Sequence, residues 1–256
     1  MIKVSFIGSG NVASHLAKGF YAKGITVHQV FSRLQENADI LAKKVEAEGI
    51  SDLNDLEIDS VQLVVVSVKD DVLKSVSDAV VSGTTIIVHT SGTVAIEVLA
   101  KHKNHGVFYP LQTFSKSKEM DLSNIPFCIE ASNKNTRNKL IDFASILSTD
   151  VRNIDSNTRK SIHLAAVFAC NFSNHMLTIA DSLLAHSGQD ISLLNPLINE
   201  TIRKALASKP ASVQTGPAAR GDSAVIESHL ERLASKPQLQ RIYKEITESI
   251  INWENE

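Results

Sequence analysis

Four short runs of this chain carry side chains or backbone shapes that chemistry requires, and the first lies at residues 8–13. Gly8-Ser9-Gly10-Asn11-Val12-Ala13 follows an apolar stretch ending at Ile7 and precedes an amphipathic run through Leu16 and Phe20. Strand, glycine turn and helix start, in that order, make the phosphate cradle of a dinucleotide-binding βαβ unit. The first glycine serves the turn, the second lets a diphosphate approach bare backbone, and a small third residue, Ala13, lets helix and strand pack closely. The diphosphate then rests on unpaired N–H groups at the positive end of the helix. The bland alternative is a strand-to-helix turn whose glycines serve geometry alone.

The second run decides which nucleotide. An acidic residue that grips the ribose of NAD closes the second strand, about 20 residues past the glycines. Here that strand ends Val30-Phe31-Ser32-Arg33, with no carboxylate. A guanidinium offers a charged fork to a 2′-phosphate, so Ser32 and Arg33 point to NADP, with NAD less favoured. Glu36 as a ligand of ribose hydroxyls keeps NAD open. Val68 and Lys69 close the next buried strand, where the nicotinamide half should pass; Asp70 or Asp71 beyond them also suits a helix cap. His89-Thr90-Ser91-Gly92 closes the strand after that. His89 and Ser91 read either as donors aimed at substrate or as an N-cap beside a surface histidine. Tyr109-Pro110-Leu111-Gln112-Thr113-Phe114 either walls a pocket or forms a rigid connection.

The third run is helical. Arg159 to Ala185 is apolar on all sides, which predicts burial, yet His163, Asn171, Asn174, Thr178 and Asp181 fall on one stripe of a regular helix. Such a stripe faces either a wet cleft or a ladder of hydrogen bonds to other helices, because a buried polar group without a partner is costly. His163 and Asn171 are about 12 Å apart along the axis, so they divide the work. His163 is the candidate for proton transfer; Asn171, with Asn174 one turn on, is the candidate for contact with substrate or nicotinamide. In the fourth run, Thr215-Gly216-Pro217-Ala218-Ala219-Arg220-Gly221-Asp222, Arg220 would bind a substrate anion while Asp222 fixes its rotamer. The alternative is an exposed turn with a weak ion pair.

These residues need elements to hold them. Up to about residue 155 strand signals at 26–31, 61–68, 84–89, 107–109 and 127–131 alternate with helix signals at 35–44, 71–81, 94–103 and 134–147. That alternation predicts an α/β, Rossmann-like, doubly wound parallel sheet over residues 1–155, with ligands at the carboxyl ends of its strands. Residues 156–256 carry only helical patterns, broken at Gly188, Pro196, Pro210, Gly216-Pro217 and Pro237, and predict an all-helical domain for substrate and dimerisation. Apolar content of 43%, charged content of 21% and a formal net charge of -2 describe an ordinary globular chain and give no reason to expect nucleic-acid or membrane binding. Cys128 and Cys170 lack metal-ligand spacing and read as buried, reduced thiols. No leader segment or membrane span is expected, and a cytoplasmic location fits.

Together these segments resemble a family that joins a Rossmann-like domain, similar to that of the deazaflavin (coenzyme F-420)-dependent NADP oxidoreductases, to a helical C-terminal domain of unknown function. The layout is more distantly similar to pyrroline-5-carboxylate reductase, ketopantoate reductase and the 3-hydroxyacid dehydrogenases, with a C-terminal domain like that of 6-phosphogluconate dehydrogenase. Relatives often carry His where this chain has Tyr109, which weakens the case for acid–base chemistry at that position. The resemblance implies NADP binding and a homodimer formed through the helical domain. It does not transfer a catalytic lysine, because the spacing of Lys160 to Asn171 departs from the hydroxyacid enzymes' motif. The expected activity is hydride transfer between NADP and a small carbonyl or imine substrate bearing an anionic group and lying between the domains. The alternatives are a non-catalytic NADP-binding redox sensor or regulatory protein, and an NADP oxidoreductase with a deazaflavin partner.

Overall fold

The computed structural model describes residues 2–115 and 118–253. It divides into two units, Met1–His175 and Met176–Glu256. The boundary falls some twenty residues beyond the change of composition, inside the long helical run rather than at its start.

The first unit is built on an eight-stranded sheet in the order β3-β2-β1-β4-β5-β6-β7-β8. Its elements are β1 (Lys3–Ile7), α1 (Asn11–Ala22), β2 (Thr26–Phe31), α2 (Gln35–Ala42), β3 (Glu48–Ile50), β4 (Leu63–Val66), α3 (Leu73–Ala79), β5 (Ile86–His89), β6 (His105–Pro110), β7 (Phe127–Ala131), α4 (Lys134–Leu147), β8 (Val151–Asn153) and α5 (Ser156–Ala166). Strands β3 to β6 are parallel through β1 and β2, with Ile7 beside both Phe31 and Val66 and Val66 beside His89. The sheet is not parallel throughout. Strand β7 runs against β6, pairing Tyr109 with Cys128 and Pro110 with Phe127, and β8 follows the direction of β7.

The continuous apolar strands fit a sheet covered on both faces. Residues alternate between two cores: Val4, Phe6, Leu63, Val65 and Val88 pack on one side, while Ile7, Val64, Val66 and Ile87 pack on the other. Aromatic rings tie the first core together, Phe20 of α1 lying 6.2 Å from Phe108 of β6 and 6.3 Å from Phe143 of α4. The expected helix over 94–103 is only a 3₁₀ turn at Ile96–Leu99. Two β-branched residues, Val94 and Val98, lie partly buried on the second core, so packing rather than helix propensity sets their conformation. Strands β3 and β8, three residues each, are too short to show a periodic signal.

After α5 the chain makes a π-helical segment, Val167–Phe172, and continues into α6 (Ser173–Ala185). The second unit adds α7 (Asn195–Ala207), α8 (Pro217–Arg220), α9 (Ser223–Arg232) and α10 (Pro237–Asn252). Pro196, Pro217 and Pro237 each sit at a helix start, where the missing N–H costs nothing. No described residue of this unit is buried. The expected burial of the 159–185 run is therefore not met within the single chain. Arg159 is the one residue of that run wholly enclosed, whereas Phe168 is 63% exposed and Leu164 59%. Cys128 is buried as expected; Cys170, in the π segment, is exposed. Among the described residues no helix is long and apolar enough to cross a membrane.

Candidate functional site

The carboxyl edge of the sheet gathers most of the residues singled out in the first unit. Gly8, directly after β1, has φ of 115° and donates its N–H to Phe31 O at 2.8 Å. A Cβ there would stand 2.1 Å from the Ser67 carbonyl oxygen, so this glycine is fixed by its own fold. Gly10 differs. It is the N-cap of α1, with φ of -71° and ψ of -170°, and an added Cβ would meet nothing within 4 Å. No side chain caps α1 and no acidic residue lies in its first turn. Its leading N–H groups therefore keep their positive end open, which suits a diphosphate. Protein packing does not demand a glycine at residue 10.

The neighbours of Gly10 have divided roles. Ala13 is wholly buried against the core, as the motif requires, and Val12 packs beside it. Ser9 is half-buried. The Asn11 amide donates to Phe114 O at 2.9 Å, and His15, one turn on, meets Ser115 O at 2.9 Å with its ring 5.0 Å from that of Phe114. The connection after β6 is thus pinned to the first turns of α1, and the Asn11 side chain is engaged by it.

Beyond β2, the Ser32 N–H donates to Ile50 O at 3.0 Å and Arg33 is exposed. Beyond β4, Val68 packs on the second core and Lys69 is exposed. Neither Asp70 nor Asp71 caps a helix. Asp70 instead accepts a hydrogen bond from the Thr93 hydroxyl, and Thr90 donates to Ser67 at 3.2 Å, so two strand-end loops are laced together.

The reading of His89 and Ser91 as donors aimed at substrate is corrected. His89 is wholly buried, its Nδ1 accepting from Ser91 N–H at 3.1 Å. Ser91 Oγ accepts from the N–H groups of Thr93 at 3.1 Å and Val94 at 3.0 Å. Both side chains are spent on shaping the turn. His89 Nε2 makes no hydrogen bond. Burial, then the Arg159 guanidinium, push the His89 pKa down to about 4, with the Ala95 backbone opposing weakly. The imidazole is neutral.

The same turn presses Gly92 against two groups that do face each other. Tyr109 Oη lies 3.2 Å from His163 Nδ1, the rings 6.2 Å apart and tilted at 62°. Burial raises the Tyr109 pKa, so the phenol keeps its proton. Helix α5, which carries His163, is anchored one turn earlier by Arg159. Its guanidinium reaches Glu130 Oε2 and Val94 O, both at 2.6 Å, and Ser156 Oγ at 3.1 Å. The pairing of Tyr109 with His163 escaped sequence reading because the two lie 54 positions apart and meet only through the reversal at β7. A buried arginine leaves no sequence signal at all.

Sequence spacing placed Asn171 and Asn174 on the face that begins at His163. Residues 167–172 form a π turn, wider than a regular one, so the even 3.6-residue period on which that spacing rests does not run unbroken through them. Asn171 and Asn174 are exposed. In the second unit, Asp222 accepts from Val225 N–H at 3.3 Å and so caps α9, while its contact with Arg220 is a loose 3.9 Å. Arg220 is 64% exposed, so its rotamer is not held by Asp222. This unit also carries an apolar groove of about 250 Å³ lined by Met176, Ile179, Leu183, Pro217, Tyr243 and Ile246. Among the described residues no cluster of His, Cys, Asp or Glu could hold a metal ion.

Residues 3–93 match the family model described as coenzyme F420-dependent NADP oxidoreductase, and residues 125–250 match a domain of unknown function, DUF2520. A solved structure from Bacteroides fragilis, described as that of a candidate NADP oxidoreductase, is 43% identical and covers 98% of each chain with a TM-score of 0.91. A reductive aminase from Aspergillus terreus, solved with NADPH and ethyl levulinate, covers 98% of this chain and 92% of its own at 15% identity and a TM-score of 0.70. The pyrroline-5-carboxylate reductase of Streptococcus pyogenes covers 98% of each at 14% identity and a TM-score of 0.63. The last two are similar in fold alone. No curated protein matches the chain.

Proposed function

The chain belongs to the family of the Bacteroides fragilis candidate NADP oxidoreductase, and from that premise we propose that it is an NADPH-dependent reductase of a small carbonyl or imine bearing an anionic group. The observation that carries the reading is the space at Gly10, a bare position at an uncapped helix start that the protein itself leaves unfilled. In this reading the first N–H groups of α1 hold the diphosphate, and Ser32 and Arg33 take the 2′-phosphate that distinguishes NADP. Lys69 and the backbone at Val68 lie along the nicotinamide half. NADPH, when bound, supplies hydride. His163 gives a proton to the substrate heteroatom as negative charge grows there. Asn171 and Asn174 are proposed as hydrogen-bonding ligands.

A homodimer completes the proposal. A helical unit with no buried side chain has little apolar burial of its own to offset the entropy of ordering its chain. A second copy would cover the groove beside Tyr243. Two measurements test the proposal. NADPH should bind more tightly than NADH and be oxidised in the presence of keto or imino acids, and light scattering should give twice the chain mass. Tight NADPH binding with no turnover across the panel would favour a sensor instead.

A further inference from the structure

We infer that Tyr109 is a positioning residue for the proton-transfer step: its phenol, bonded to Nδ1 of His163, keeps a hydrogen on Nε2, the ring nitrogen left to meet substrate. This inference rests on the reductase reading, which it deepens by assigning the reacting atom.

The geometry is closed on one side of the imidazole and open on the other. Tyr109 Oη sits 3.2 Å from Nδ1. Gly92 packs so tightly against the pair that a Cβ would lie 2.5 Å from Nδ1 and 3.0 Å from Tyr109 Cζ. Arg159 holds the same helix through Glu130, so the axis from which His163 projects is fixed as well. Among the described residues Nε2 makes no hydrogen bond.

A hydroxyl can serve either charge state, because its hydrogen rotates. With neutral imidazole the phenol donates to Nδ1, which places the ring hydrogen on Nε2. With imidazolium, Nδ1–H donates to the phenol oxygen and Nε2 still carries hydrogen. Burial keeps Tyr109 protonated, so it holds the ring without giving up its own proton. During reduction hydride adds to the substrate carbon and the C=O or C=N electron pair moves onto the heteroatom. The proton on Nε2 passes to that heteroatom, which leaves a neutral imidazole whose remaining hydrogen, on Nδ1, is held by the phenol oxygen until a solvent proton returns to Nε2. The phenol ends as it began.

The test uses full-length protein labelled with ¹⁵N-histidine, recorded at a pH where His163 is neutral. The wild-type spectrum should show hydrogen on Nε2 and a bare, hydrogen-bonded Nδ1. In Tyr109→Phe the two ring shifts should move toward each other as the second tautomer is populated. Gly92→Ala, which forces the pair apart, should do the same and guards against a misfolded phenylalanine variant. Ring shifts unchanged by either substitution, or hydrogen on Nδ1 in the wild type, would overturn the inference. NADPH affinity should stay within about twofold. With levulinate, alone and with methylamine, as carbonyl and imine probes that carry a carboxylate, kcat for NADPH oxidation in Tyr109→Phe should fall about tenfold, roughly one lost hydrogen bond, while KM changes little. A kcat within twofold of wild type would also overturn it. Should no probe be reduced by the wild type, the reductase reading fails, and the ¹⁵N spectra still decide the pairing.

Discussion

Replacing Arg159 with methionine should cost the first unit a large part of its stability. The guanidinium is wholly buried and Glu130 is 17% exposed. Loss of the cation strands a largely enclosed carboxylate, strips the Val94 carbonyl of its 2.6 Å donor, and leaves Glu130 with only the Ser156 N–H at 3.0 Å and hydroxyl at 2.6 Å. Breaking one side of a buried pair typically costs about 3–5 kcal/mol. For a unit of this size that corresponds to a fall of about 6–20 °C in Tm. Far-UV circular dichroism during urea or thermal unfolding is the suitable assay. The one tryptophan, Trp253, lies in the other unit, so its emission would follow the wrong transition. The paired change Arg159→Met with Glu130→Leu removes both charges and should recover about half or more of the loss. A single substitution costing under about 1 kcal/mol, or a double variant no better than the single, would refute a role for the ion pair in anchoring α5.

Further outcomes follow from the same geometry. Gly10→Val should fold with a stability change under about 1 kcal/mol yet weaken NADPH binding more than tenfold by fluorescence titration. Gly8→Ala, at positive φ and against the Ser67 carbonyl, should instead cost about 2 kcal/mol or more in urea unfolding. Arg33→Ala should erase the preference for NADPH over NADH, measured as the ratio of dissociation constants. His89 has a folded pKa of about 4 against 6.5 for the free side chain, so the unfolded chain binds the extra proton between those values. Stability is then full above about pH 6.5 and falls by about 3 kcal/mol as pH drops toward 4. His89→Asn should flatten that limb of the stability curve.

The nucleotide half of this molecule was legible from residues because its signals are local. A glycine turn, an apolar strand and a helix start all lie within thirteen positions, and the apolar run at 63–66, with three valines, can be little else than a covered strand. What could not be read was set by distance or by context. The 94–103 segment has helical spacing, yet tertiary packing holds it as a short turn. His89 and Ser91 sit at a strand end, the position of many ligands, but each has its partner two or three residues away and is consumed there. The polar stripe from His163 to Asp181 assumed an even 3.6-residue period, and nothing in the residues of 167–172 announces a wider turn. Tyr109 was the reverse case: discounted for being a tyrosine where relatives carry histidine, it is the group found against His163.

The backward course of β7 sets which side chains reach the carboxyl rim of the sheet. Had that strand and β8 followed β6, the helix after them would leave the rim at once, and only its opening residues could serve there. With polarity inverted, the chain is returned to the far side and must climb again, so that Ser156 and Arg159 fasten the lower end while His163, one turn beyond Arg159, arrives beside Tyr109. Anchor and effector are thereby separated on one rigid rod. Changes in the loop before α5 would tune how firmly the rod is seated, and changes above it would alter what is presented, each largely without disturbing the other.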